Sequence, residues 1–84
     1  MSEMLGPNCG VSVLGRSGLR YREGSATIFV DGEMRNGATD FAIYESSMRA
    51  WDGSGQLIGD DERRRIIANI VATFEQNGLS VAVE

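Results

Sequence analysis

Hydrophobic and polar positions alternate with period two over much of the chain, and the spacing changes to threes and fours only beyond residue 60. Val11-Ser-Val-Leu14 alternates, and Gly15-Arg-Ser-Gly18 follows as a turn. Leu19, Tyr21 and Glu23 then oppose Arg20 and Arg22 across a second strand. Gly24-Ser25 reverses the chain. Ala26-Thr-Ile-Phe-Val30 is rich in β-branched and aromatic residues, which suit a pleated, half-buried surface. Asp31-Gly32 and Asn36-Gly37 are candidate hairpin turns, with Glu33-Met-Arg35 between them. Thr39 to Glu45 alternates again, with Phe41 and Ile43 on one face and Asp40, Ala42 and Tyr44 on the other. Met48-Arg-Ala-Trp51 reads as a short fifth strand, set apart by Ser46-Ser47, and Asp52-Gly-Ser-Gly55 as a loop.

The change of period marks a helix over about residues 60–77. Ile66, Ile67, Ile70, Val71 and Phe74 form one apolar stripe at three- and four-residue spacing. Asp61, Arg65, Asn69, Ala72 and Gln76 fall opposite, towards water, with Asp61 and Arg65 placed to pair one turn apart. Asp60 is the expected N-cap, because its carboxylate can accept from the free N–H groups of the first turn. Asp61 and Glu62 suit the positive end of the helix dipole. Asn77-Gly78 ends the helix, with Gly78 free to take a left-handed conformation. Leu79-Ser-Val-Ala-Val83 returns as a last strand, with Leu79, Val81 and Val83 inward.

This order specifies an α+β fold: a mostly antiparallel sheet of five to six short strands, one amphipathic helix on one face, and a C-terminal strand after the helix. The helix stripe is expected to pack on Ile28, Phe41, Ile43, Val81 and Val83. Residues 1–10, with Gly6, Pro7, Asn8 and Gly10, read as a flexible leader. Residues 11–84 read as a single domain.

Eighty-four residues leave little room for a deep active-site cavity beside a core. The net charge is −4, every basic residue is arginine, and there is no histidine or lysine. The commonest general base, the commonest metal ligand and the Schiff-base amine are therefore missing. No cofactor or metal is expected. An acidic balance disfavours nucleic acid, whose phosphates need a basic face, and suits a basic protein partner. Apolar runs are only a few residues long, as at Ile28-Phe29-Val30, so no membrane span is expected. The N-terminal residues lack the basic start and apolar core of a secretory signal, and Cys9 is the sole cysteine; both suit the cytoplasm.

Candidate catalytic features resolve into ordinary ones. Gly53, Gly55 and Gly59 precede the helix, but their spacing is one residue too long for a dinucleotide turn, and Asp60, Asp61 and Glu62 occupy the place of a phosphate. Arg63, Arg64 and Arg65 follow three acids and splay over roughly 200° of the helix, a salt-bridged helix start. The carboxylates of Glu45, Asp52, Asp60, Asp61 and Glu62 lack an assisting base. Ser17 is a turn serine, and Cys9 has no base nearby. The exposed face holds more interest. Tyr44 points away from the Phe41/Ile43 face, and Trp51 either does the same or plugs the core; aromatic residues are favoured interface anchors.

Five segments carry a family resemblance: Tyr21-Arg-Glu-Gly24, Asp31-Gly-Glu-Met34, Phe41-Ala-Ile-Tyr44, Ser47-Met-Arg-Ala-Trp51 and the helix Asp60-Asp-Glu-Arg-Arg-Arg-Ile-Ile-Ala-Asn-Ile70. In this order the chain resembles a family of small immunity proteins of bacterial polymorphic toxin systems, over residues 11–84. The resemblance implies a cytoplasmic, non-enzymatic inhibitor that neutralises a cognate protein toxin by binding it. Tyr44, Glu45, Trp51 and Asp52 are the expected contacts, with Asp61 and Glu62 as an outer acidic rim. The alternative is a structural domain that pairs with itself as a homodimer through a free sheet edge.

Overall fold

The computed structural model describes residues 3–84. Strands β1 (Met4–Gly6), β2 (Cys9–Val13), β3 (Gly18–Glu23), β4 (Ala26–Met34) and β5 (Phe41–Ile43) precede the helix α1 (Asp60–Gln76), and β6 (Val81–Val83) follows it. The six strands form one sheet in sequential order. Neighbours are antiparallel except β5 and β6, which run parallel across the α1 crossover. The α+β reading holds, including the strand after the helix.

The stretch read as a leader contributes to the sheet. Met4–Gly6 forms β1, and Cys9 and Gly10 open β2; Met1 and Ser2 lie outside the described residues. Asn8 turns the pair at φ 57°. β1 sits against α1, and Gly6 makes this possible, since a Cβ there would lie 1.9 Å from Thr73 Oγ1.

β4 is longer than its sequence pattern suggests because Gly32 continues the strand instead of closing a turn. The residue is buried, and a Cβ would lie 2.3 Å from the Ala42 carbonyl oxygen. β4 thus pairs with β3 over Ala26–Asp31 and passes to β5 over Gly32–Met34. The reversal comes at the second candidate site, where Gly37 has φ 110° and the Arg35 N–H donates to the Asp40 carbonyl at 3.0 Å.

The core forms between the inner sheet face and α1. Val11, Tyr21 and Ile28 align in register across β2, β3 and β4. Leu19, Val30, Phe41 and Ile43 join them, as do Ile66, Ile70 and Phe74 from α1. The Phe41 and Phe74 ring centroids are 6.0 Å apart. The helix is rotated from its expected phase: Ile67 and Val71 are half-buried, while Thr73 is fully buried and Asn69 turns towards the sheet. Polar satisfaction explains this. Asn69 Nδ2 donates to the buried Tyr21 hydroxyl at 2.9 Å, that hydroxyl donates to Glu23, and Thr73 fits against Gly6 and Cys9.

Three terminal details differ from expectation. Gly59 occupies the N-cap and Asp60 is the first helical residue; its carboxylate is engaged by Arg63 at 2.7 Å. Arg65 reaches Glu23 on β3 and Glu62 at 3.6 Å, leaving Asp61 to Arg64 at 2.8 Å. Leu79 and Val83 are exposed and Val81 is half-buried, because β6 is an edge strand covered by little of the helix. Gly78 takes the expected left-handed conformation at φ 76°.

Gly32→Ala forces backbone against backbone and should cost about 1–3 kcal/mol, lowering the thermal midpoint by roughly 4–8 °C per kcal/mol. A calorimetric scan checks it. Burial, and then the Glu23 carboxylate, push the Tyr21 hydroxyl well above the usual tyrosine range. The folded protein therefore keeps a proton that the unfolded chain loses. That contribution is complete below about pH 10 and declines above it by up to about 1.4 kcal/mol per pH unit. Denaturant midpoints should fall more steeply above about pH 10 in the parent than in Tyr21→Phe.

Candidate partner-binding surface

The connector from β5 to α1 builds most of this surface. It starts as one 3-10 turn, Glu45–Ser47, and continues as a small hairpin. The Ile58 N–H donates to the Arg49 carbonyl at 2.9 Å, Ala50 bridges Leu57, and the Trp51 N–H donates to the Gln56 carbonyl at 2.9 Å. Asp52–Gly55 is its tip, where Gly53 and Gly55 adopt φ 81° and 71°. Met48–Trp51 is therefore one arm of a local hairpin, not a strand of the main sheet. The connector caps the part of the β4 edge that β5 leaves open. Asp52 N–H donates to the Thr27 carbonyl, Tyr44 N–H to the Asp31 carbonyl, and Asp31 N–H to Ser47 Oγ.

Met48, Trp51 and Ile58 point from this connector into the core. Trp51 is 9% exposed and lies 6.5 Å from the Tyr21 ring at a 38° tilt. It shapes the connector from beneath and is unavailable as a surface anchor. Arg63 fastens the same segment to α1 by donating to the Met48 and Ile58 carbonyls, each at 3.3 Å.

The other expected contacts divide into two groups. Glu45 and Asp52 are exposed on the connector, and Tyr44 is half-buried at its start. Asp61 and Glu62 lie on the first turn of α1. Glu45 and the helix start come together: Glu45, Ser46, Asp60, Arg63, Arg64 and Ile67 line an open groove of about 470 Å³. The Tyr44 hydroxyl donates to Glu33 at 2.8 Å, and Arg35 donates to both Glu33 and Glu84. The Tyr44 hydroxyl and the Arg35 guanidinium hold the Glu33 carboxyl below the usual range; in return, Glu33 raises the Tyr44 hydroxyl.

The charge distribution sharpens the picture. Among the described residues, Arg22, Arg35, Arg63, Arg64 and Arg65 all hold carboxylates. Asp31, Glu45 and Asp52 have no such partner and lie on or beside the connector, which also carries Arg49. Asp61 and Glu62 carry charge already answered by Arg64 and Arg65. Sequence reasoning passed over Asp31 and Phe29. Both lie on the outer face of β4, and the alternation Thr27, Phe29, Asp31 against the inward Ile28 and Val30 already contains that information. Phe29 is 43% exposed and leans over Gly18, where a Cβ would meet its ring at 2.5 Å. No group of three or more metal-ligating side chains is arranged to hold an ion among the described residues.

A family model described as Immunity protein 74 matches residues 11–84. The chain belongs to the Immunity protein 74 family. No curated protein and no solved structure matches it. The matched region begins inside β2, so β1 lies outside it while still completing the sheet of this Immunity protein 74 member. Immunity proteins in general bind toxin partners and are non-enzymatic. No helix among the described residues is long and apolar enough to cross a membrane.

Trp51→Ala should destabilise the fold by about 3–5 kcal/mol, as for other large core truncations. For a chain of this length that is a large share of the total stability. Urea titration by far-ultraviolet dichroism checks this. Phe29→Ser, at a half-exposed position, should shift the same curve less, by about 1–2 kcal/mol.

Proposed function

We propose that this protein is a cytoplasmic immunity protein that neutralises a cognate bacterial toxin by direct binding, through the connector and the adjoining β4 edge. The observation that carries the reading is the set of carboxylates left without an arginine along this one segment, in a chain of the Immunity protein 74 family. The carboxylates held by arginines project weak fields, whereas Asp31, Glu45 and Asp52, grouped about one segment, attract a basic face.

Tyr44 supplies the aromatic anchor, its hydroxyl held by the Glu33–Arg35 cluster, so little side-chain entropy remains to be lost on binding. A standard interface takes about 800 Å² from each partner. That is roughly a sixth of the 4948 Å² surface here. The contact therefore extends beyond the three acids. It reaches the hairpin, where Leu57 is 79% exposed, the groove at the helix start, and Asp61 and Glu62 on the first turn of α1 as an outer acidic rim. Bound there, the protein acts by occlusion and takes no part in chemistry.

The test is affinity for the toxin encoded beside this gene. Asp31→Asn, Glu45→Gln and Asp52→Asn combined should slow association at least about tenfold at low salt and flatten its salt dependence. Tyr44→Ala should raise the dissociation rate. A triple variant that is folded and binds with parental kinetics removes this surface from consideration.

A further inference from the structure

Asp31 lies where β4 leaves β3 for the connector, and an aromatic residue stands on each side of it. Side chains of a strand alternate between faces, so Thr27, Phe29 and Asp31 share the outer face of β4. Gly18 is opposite Asp31 on β3, and Cβ positions of such partners are about 4.5–5.5 Å apart. The Phe29 ring occupies the space of a Gly18 side chain, since a Cβ there would lie 2.5 and 2.6 Å from its Cζ and Cε1. The ring therefore rests beside Asp31 and not over its own backbone. On the other side, the pairing of Gly32 with Ile43 continues to Asp31 and Tyr44, where the Tyr44 N–H donates to the Asp31 carbonyl at 2.8 Å.

The position of the ring explains why Asp31 keeps its charge unanswered. Arg20 is opposite Phe29 in register, so Arg20 and Asp31 are diagonal neighbours on the outer face. By leaning from its own position over Gly18, the ring crosses that diagonal and separates the two charges. Among the described residues neither Arg20 nor Asp31 is in an ion pair. The frame is held before any partner arrives. The Asp31 N–H donates to Ser47 Oγ at 3.0 Å, and the Tyr44 hydroxyl donates to Glu33 at 2.8 Å. Phe29 is 43% exposed, so part of the ring is open to a partner. An unanswered carboxylate between aromatic residues suits a cation with a flat, weakly hydrated face. Guanidinium is planar, stacks on rings and donates twice to one carboxylate, whereas an ammonium is compact and strongly hydrated.

We infer that this part of the outer face receives an arginine side chain of the toxin, its guanidinium stacked on the Phe29 ring and donating to the Asp31 carboxylate, with Tyr44 on the far side. The inference rests on the toxin reading above and adds the side chain that the toxin presents to β4. Phe29 is thereby a contact residue, and Arg20 a like charge beside the site that the incoming arginine has to overcome.

Calorimetric titration with the toxin encoded beside this gene tests it. Phe29→Leu keeps an apolar cover on Gly18 and removes the ring; it should stay folded by circular dichroism and bind about tenfold more weakly. Arg20→Gln, at an exposed position, removes the neighbouring like charge and should bind about threefold more tightly. With the arginines of the toxin changed one at a time to lysine, one variant should lose about tenfold against the parent and little against Phe29→Leu. A folded Phe29→Leu with parental affinity overturns the inference and leaves the toxin reading standing. So does weaker binding by Arg20→Gln, which places an acid of the toxin at this site, and so does a toxin in which no arginine couples to Phe29. A parent without affinity for the toxin ends the toxin reading itself, and this inference with it.

Discussion

One helix has to close the core of a six-stranded sheet, and the rest of the architecture follows from that shortage. Six strands laid flat span roughly 24 Å, whereas a helix with its side chains is about 10 Å across. The sheet curls so that α1 touches strands at both ends, β1 and β2 on one side and β6 on the other. The close approaches this requires fall at Gly6 against Thr73 and Gly32 against Ala42. The area still uncovered is filled by the connector, which sends Met48, Trp51 and Ile58 into the gap beside Tyr21. A segment of little regular structure thus becomes part of the core, and its backbone is fixed by bonds to β4 and to Arg63.

The same shortage shapes the surface. A connector committed inward at Met48, Trp51 and Ile58 presents Glu45, Arg49 and Asp52 outward on a rigid support, the usual arrangement for a binding loop. Three arginines elsewhere stitch elements together: Arg22 to Glu3, Arg35 to Glu84, Arg65 to Glu23. Exposed pairs of this kind contribute little each to stability. Their larger effect is on the field, because they neutralise the carboxylates they hold while Asp31, Glu45 and Asp52 about the connector keep their charge. At the C-terminal end of α1, Met34 and Leu79 stand in contact with water beside the buried Phe41 and Phe74.

Much of the fold was legible in the residues. The alternation at Leu19–Glu23 and Ala26–Val30, the spacing of Ile66, Ile70 and Phe74, and Gly78 each reflect a local rule that the structure obeys. Elements that failed did so where distant groups override local preference. Gly32 reads as a turn residue, yet the approach of β5 requires a glycine within the strand. Asn69 reads as solvent-side, yet the Tyr21 hydroxyl calls for it towards the sheet, on the side where Thr73 lies against Gly6. Asp60 reads as a cap, yet Arg63 competes for its carboxylate. Tyr44 could be singled out as outward-facing from the strand pattern, and Glu45 and Asp52 as the acidic neighbours of Tyr44 and Trp51. Trp51 could not be placed, since an isolated aromatic beside a loop suits a core plug and an anchor equally.

By itself, then, the chain determined its element types, its acidic and arginine-only charge, and the absence of histidine and lysine chemistry, because these follow from composition and from periodicities of two and 3.6 that need no distant partner. Tertiary structure alone decided which carboxylates keep their charge unanswered and which way Trp51 faces. Those properties depend on distances between residues far apart in sequence, such as Glu23 and Arg65 or Trp51 and Tyr21, which exist only once the sheet has curled around its one helix.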